Sequence, residues 1–103
     1  MLFRSKAGKH PLDVVVDCLK AMELDEQFNA GRGSALQADG QARLTAALMD
    51  GSRSSFSAVI SASYLVHPSV LARHLQDQPA RVLTSPGAEL LDRKSTRLNS
   101  SHT

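Results

Sequence analysis

From Pro11 onward, apolar residues recur at three- and four-residue intervals: Leu12, Val15, Val16, Leu19 and Met22. That spacing lines one face of an amphipathic helix, so it predicts helix over residues 11–24. Pro11 suits the first helical position, and Asp13 places negative charge in the first turn. Asp17, Lys20 and Glu23 are assigned to the polar side. The period breaks over residues 25–33. Ser34 to Leu36 then predicts a short extended segment, and Asp39-Gly40 a tight turn. Gln41 to Met49 predicts the returning strand, closed by a second turn signal at Asp50-Gly51. Phe56 to Leu65 predicts a third strand, with Ala58, Ile60 and Ala62 on one side. Pro68 opens a short predicted helix carrying Val70, Leu71 and Leu75. Arg81 to Thr84 predicts another short strand, and a helical start follows Pro86-Gly87 at Ala88 to Leu91. The order α-β-β-β-α-β-α predicts an α/β (α+β) domain, a mixed sheet with helices packed on it.

Composition changes abruptly at Asp92. Residues 92–103 hold one apolar residue, Leu98, in twelve. The string from Asp92 to His102 looks like a translated reading frame of a common DNA-sequencing adapter. Processing scars are excluded from fold reasoning, so residues 1–91 are expected to form a partial domain and residues 92–103 a non-native tail. The tail also decides the charge. The whole chain has 12 Lys and Arg against 10 Asp and Glu. Without Arg93, Lys94, Arg97 and Asp92 the counts become 12 − 3 = 9 and 10 − 1 = 9. A neutral body offers no basic patch, so nucleic acid is not an expected partner.

With one cysteine, Cys18, no internal disulfide framework exists, and a cytoplasmic location is expected. Cys18 sits in the apolar helical pattern and is read as a small core hydrophobe. No apolar run approaches a membrane span, and no hydrophobic signal core follows the basic residues before His10. Four aromatics and no Trp leave the core to Leu, Val and Ala.

Candidate chemistry is sparse. His10, His67 and His74 lie outside the tail. The seven-residue separation of His67 and His74 does not suit a metal pair, so the reading is solvent-facing histidines. The serines of 52–63 show no nucleophile-elbow pattern, and Tyr64 is read as a packing residue. Phe28-Asn29-Ala30-Gly31-Arg32-Gly33 stands out, because two glycines permit positive φ or close backbone approach. A phosphate-binding loop follows a strand and opens a helix. Here the helix comes first, which argues against phosphate and leaves a helix stop or another ligand turn.

The stretch from Phe28 to Ser34, then Asp39-Gly40, then Ala46 to Gly51, resembles the plant-type asparaginase and isoaspartyl peptidase family of N-terminal-nucleophile hydrolases. Leu12-Asp13-Val14-Val15 and Met22-Glu23 upstream, and Ala58-Val59-Ile60, His67-Pro68, Leu71-Ala72, Val82-Leu83 and Gly87-Ala88-Glu89 downstream, keep the family's order and spacing. The resemblance covers about residues 8–91. It implies an αββα sandwich, of which this chain would be the alpha-subunit part. It also implies a self-cleaving precursor whose second (beta) subunit begins with a nucleophilic Thr. Expected substrates are asparagine and β-aspartyl peptides, and the expected assembly is a dimer of αβ units. No cofactor is expected for catalysis. A structural sodium ion is implied, held by backbone carbonyls of Met22, Glu23, Asp25, Phe28, Ala30 and Arg32. Asn29 matches a residue beside the nucleophile.

Several family features are missing. No Gly-Thr pair occurs in the chain. Thr45 and Thr84 fall in strand-like segments, and Thr96 and Thr103 in the tail. The family's glycine-rich first strand is also absent. Arg43-Leu44-Thr45-Ala46 stands where the family commonly has Glu-Leu-Asp-Ala. The chain is therefore expected to be an inactive portion of an amidohydrolase, with exposed strand edges that favour aggregation. The other reading is a free-standing, non-catalytic α/β binding or interaction module.

Overall fold

The computed structural model describes residues 9–63 and 65–98. Helix α1 is Pro11–Leu24. His10 caps it, its Nδ1 accepting the Leu12 N–H at 3.0 Å. Pro11 occupies a position where a missing N–H costs nothing. The stripe that α1 turns to the core is Leu12, Val16, Leu19 and Glu23, spaced by four, three and four residues, with Leu19 only partly buried. Glu23 therefore belongs to the buried face rather than the polar side, at 4% exposure. Val15 instead turns outward, 46% exposed.

A 3-10 turn, Gly31–Gly33, follows the helix. The extended segment expected at Ser34 to Leu36 joins no strand ladder among the described residues. Its amides are used locally: Ser34 N–H bonds the Gly31 carbonyl at 3.1 Å, and Ala35 N–H bonds Asn29 Oδ1 at 2.7 Å. The Asp39-Gly40 turn is present, with Gly40 at φ +80° and its N–H on the Gln37 carbonyl at 2.8 Å.

Three strands form the sheet in the order β1-β2-β3. Strand β1 (Leu44–Asp50) runs antiparallel to β2 (Ser55–Ala62), and the expected turn at Asp50-Gly51 joins them. Helix α2 (Pro68–Leu75) is the crossover that returns the chain to β3 (Val82–Thr84), parallel to β2. Helix α3 is Ser85–Leu98, so helical backbone begins before residue 88 and continues past residue 91. Tyr64, and the termini at 1–8 and 99–103, lie outside the described residues.

Register resets within the hairpin. Ala46 pairs with Val59, but Leu44 pairs with Ala62, so β2 carries one extra residue. Ser61 takes φ +54° there, and Thr45 Oγ1 accepts its N–H at 3.1 Å. This bulge carries Ala62 into the core beside Val59, while Ile60 stays half-exposed. Ala58, Ile60 and Ala62 thus do not share one side, because a bulge shifts the two-residue alternation.

One face of the sheet packs under the helices. Leu12 and Val16 meet Leu44, Leu48, Val59 and Ala62 of the sheet, with Leu71, Ala72 and Leu75 of α2 and Ala88 of α3. A polar strip crosses this core. Buried Gln76 donates from Nε2 to the carbonyls of Leu48 and Ser55, both at 3.2 Å, and to Ser57 Oγ at 2.9 Å. Ser57 Oγ passes its own hydrogen to the Ala72 carbonyl at 2.6 Å. Among the described residues, no helix is long and apolar enough to cross a membrane.

Candidate functional site

The loop after α1 doubles back onto the helix it leaves. Gly31 lies at φ +54°, and an added Cβ would land on the Glu23 carbonyl oxygen and on the Cα and Cβ of Glu23. An added Cβ at Gly33 would land on the carbonyl oxygens of Phe28 and Glu26. Both glycines are required by close approach to carbonyl groups, and at Gly31 by backbone conformation as well. The sequence signal at 31–33 therefore marks a carbonyl-rich knot.

The six carbonyls expected to hold a cation divide in two. Those of Met22, Asp25 and Ala30 accept N–H groups of Asp25, Phe28 and Gly33 at 3.1 to 3.2 Å, each keeping a second lone pair. Those of Glu23 and Phe28 stand where a Cβ on Gly31 and on Gly33 would have to go, and Arg32 lies inside the 3-10 turn with an exposed side chain. Among the described residues, no group of three or more His, Cys, Asp or Glu is placed to hold a metal. Any cation here would rest on backbone oxygen.

Asn29 stands on the wall of a cleft of about 240 Å³ that Glu23, Gly31, Arg43, Thr45 and Pro68 also line. Its Oδ1 is committed to Ala35 N–H, so the side-chain amide is oriented by its own loop. Arg43 and Thr45, the two departures from the family pattern, each have a structural partner. Arg43 holds the Asp39 carboxylate at 2.8 and 3.2 Å, closing the tight turn. This guanidinium, together with the Gln41 amide, lowers the Asp39 carboxyl below its usual range. Thr45 supplies the oxygen that the bulge needs at Ser61.

Sequence reasoning missed the centre of this region. The Glu23 carboxylate accepts Ser69 Oγ–H at 2.8 Å and Ser69 N–H at 3.2 Å, and its Oε1 lies 3.0 Å from His67 Nδ1. His67 is thus not a solvent-facing histidine. His10 does keep a side chain 39% exposed, but it is held in place, since it caps α1 and its Nε2 is 3.6 Å from Asp50 Oδ2. His74 is exposed as expected, and Cys18 is half-buried. The helical spacing of Glu23 from Leu12, Val16 and Leu19 was the available signal. Its charge masked it.

Asp50, buried at the end of β1, takes Ser52 Oγ–H and N–H on Oδ1. The Ser52 hydroxyl is the main reason its carboxyl lies below the ordinary range. Glu89 is held low by Ser85 Oγ and then by Ser63 N–H, which fastens α3 to the end of β2.

Comparison with known proteins supplies the family. A family model described as "Asparaginase" matches residues 4–101. A Synechocystis protein named "Isoaspartyl peptidase/L-asparaginase" is 46% identical over 88 residues, covering 85% of this chain and 27% of that protein. A Nostoc protein of the same name is 45% identical over 88 residues, with 85% and 28% covered. A Rattus norvegicus protein of that name is 40% identical over 85 residues, with 82% and 26% covered. The chain spans about a quarter of the length of these relatives. A family model matching nearly the whole chain, on a mixed α/β fold, establishes that this chain belongs to the asparaginase family.

Proposed function

We propose that this chain forms the alpha-subunit wall of an amidohydrolase cleaving asparagine or β-aspartyl peptides. The observation that carries the reading is the cleft in which Asn29 and the glycine-spaced loop meet Glu23, in a chain similar to proteins named isoaspartyl peptidase/L-asparaginase. The nucleophile would be a Thr hydroxyl supplied by a beta subunit of the same precursor, since no Gly-Thr pair occurs here. In that arrangement Asn29 orients polar groups near the reacting amide, and the loop gives the nucleophile a fixed boundary. The assembled enzyme would be a dimer of αβ units, in the cytoplasm.

The loop would hold a structural sodium ion on backbone carbonyls of Met22, Glu23, Asp25, Phe28, Ala30 and Arg32. The crowding of carbonyl groups on Gly31 and Gly33 fits a hard cation, which takes oxygen ligands and is indifferent to side-chain identity. Catalysis would need no other cofactor.

The test is to clone the source locus past the codon for Leu91 by an independent library method. A longer protein carrying Gly-Thr downstream, expressed and self-cleaved, should hydrolyse asparagine or a β-aspartyl dipeptide. The 103-residue chain alone should not. Hydrolysis by the short chain, or a longer protein that cleaves neither substrate, overturns the proposal. The same sequencing shows whether codons 92–103 belong to the locus, and we propose that they do not.

A further inference from the structure

Glu23 is oddly placed for its own helix. It is the penultimate residue of α1, where the carbonyl end of the helix dipole disfavours negative charge, and no basic residue in that last turn offsets it. It is nevertheless buried. The compensation comes from another element. Helix α2 has no side-chain cap from its own N-cap residue, His67. Ser69 N–H is one of the groups a helix start leaves without an intrahelical partner, and Glu23 Oε2 accepts it from across the fold. Ser69 Oγ and His67 Nδ1 complete the grip on Oε1. The charge that is wrong for α1 is right for α2.

The same residue meets the loop through its backbone. Gly31 packs against the carbonyl oxygen, Cα and Cβ of Glu23 so closely that no side chain fits between them. Two residues before Gly31 stands Asn29, whose Oδ1 accepts Ala35 N–H. Glu23 is therefore gripped by α2 through its side chain while the loop rests on its main chain.

We propose that the Glu23 carboxylate is a positioning group: by capping α2 from the end of α1, it fixes the seat of Gly31 and so sets the place of Asn29 in the cleft. The consequence for catalysis rests on the role assigned to Asn29 above. The coupling itself is a property of this chain. Locking α1, the loop and the start of α2 into one unit would give the cleft a rigid wall against which a second subunit could place its nucleophile.

Amide hydrogen exchange on the 103-residue chain tests this. Three amides serve: Ser69 reports the cap, Ala35 reports Asn29, and Ala58, bonded to the Arg81 carbonyl at 2.9 Å, reports the sheet. Glu23→Ala should speed exchange at both Ser69 and Ala35 by about tenfold or more while Ala58 holds its rate. Glu23→Gln keeps an oxygen to accept from Ser69 and should recover part of the Ala35 protection, whereas Glu23→Met, of similar volume but with no oxygen, should not; equal protection by Met and Gln would mean that filled volume rather than capping holds Gly31, and overturns the proposal. Fast exchange at Ser69 with Ala35 unchanged overturns the proposal, leaving Glu23 as a cap only. If Glu23→Ala speeds all three amides together, Ser69→Ala decides. That variant keeps the backbone and the Glu23 side chain, and Ala35 must still quicken relative to Ala58, or the coupling is absent. A parallel comparison in sodium chloride and choline chloride addresses the cation separately. No sodium effect on the loop amides of the unaltered chain counts against the sodium reading without touching the Glu23 result.

Discussion

The two faces of the sheet differ sharply in how well they are covered. The face bearing Leu44, Leu48, Val59 and Ala62 lies under three helices and is stitched by the Ser57–Gln76 strip. Across β1 and β2 on the other face, Met49 pairs with Phe56, and they are 59% and 49% exposed. Ile60 and Val82 are also exposed. A sheet with two apolar faces and one cover is half of a layered structure. The covered face should carry the stability of this chain, and the bare face its tendency to associate.

The largest test of that contrast is Leu71→Ala, which empties a buried position under the sheet. It should lower unfolding free energy by about 2–5 kcal/mol, read from urea titration. A loss below about 1 kcal/mol would mean the face is loosely packed. Gln76→Ala comes next. It strips the donor from the Leu48 and Ser55 carbonyls, and such unsatisfied groups cost about 1–3 kcal/mol. On the bare face, Phe56→Ser should shift unfolding free energy by no more than about 1 kcal/mol. It should, however, reduce binding of an apolar dye and concentration-dependent sedimentation. Unchanged dye binding would show that this face is not the sticky one. The smallest effect belongs to neither face. The Asp39 carboxyl is held low by Arg43, so the native state binds that proton less readily than the unfolded chain. Its contribution is present above about pH 4 and fades as pH falls through the lowered native value. Arg43→Ala should remove that acid dependence at the Gly40 amide and leave the sheet amides alone.

Much of the architecture was readable from local pattern. Helix α1 begins at Pro11 and ends at Leu24 as its period and capping chemistry indicate, and the turns at Asp39-Gly40 and Asp50-Gly51 fall where their residues place them. Local propensity failed where a distant group intervened. Ser34 to Leu36 looks like strand, but Asn29 and Gly31 take its amides first. Glu23 and His67 look like surface residues because their partners are 46 and 44 residues away in sequence. Gln76 gave no sign of burial at all. An amide becomes a core residue only when strand carbonyls and a serine are brought around it. In the candidate site, the glycine signal was legible and the carboxylate at its centre was not.

The extra residue at Ser61 has a consequence for chain length. Beyond it, Ala62 is turned by half a pleat relative to the strand before. Ala62 enters the interior on that account, in the same core cluster as Leu65 and Leu71. A deletion of one residue in residues 59–61 would therefore not act as a local trim. It would rephase the strand, send Ala62 outward, and leave the next helix to start from the wrong surface. Thr45 guards this arithmetic by holding the Ser61 amide. In this family member, the count of residues between Val59 and His67 is as much a determinant of the cleft as the identity of any residue lining it.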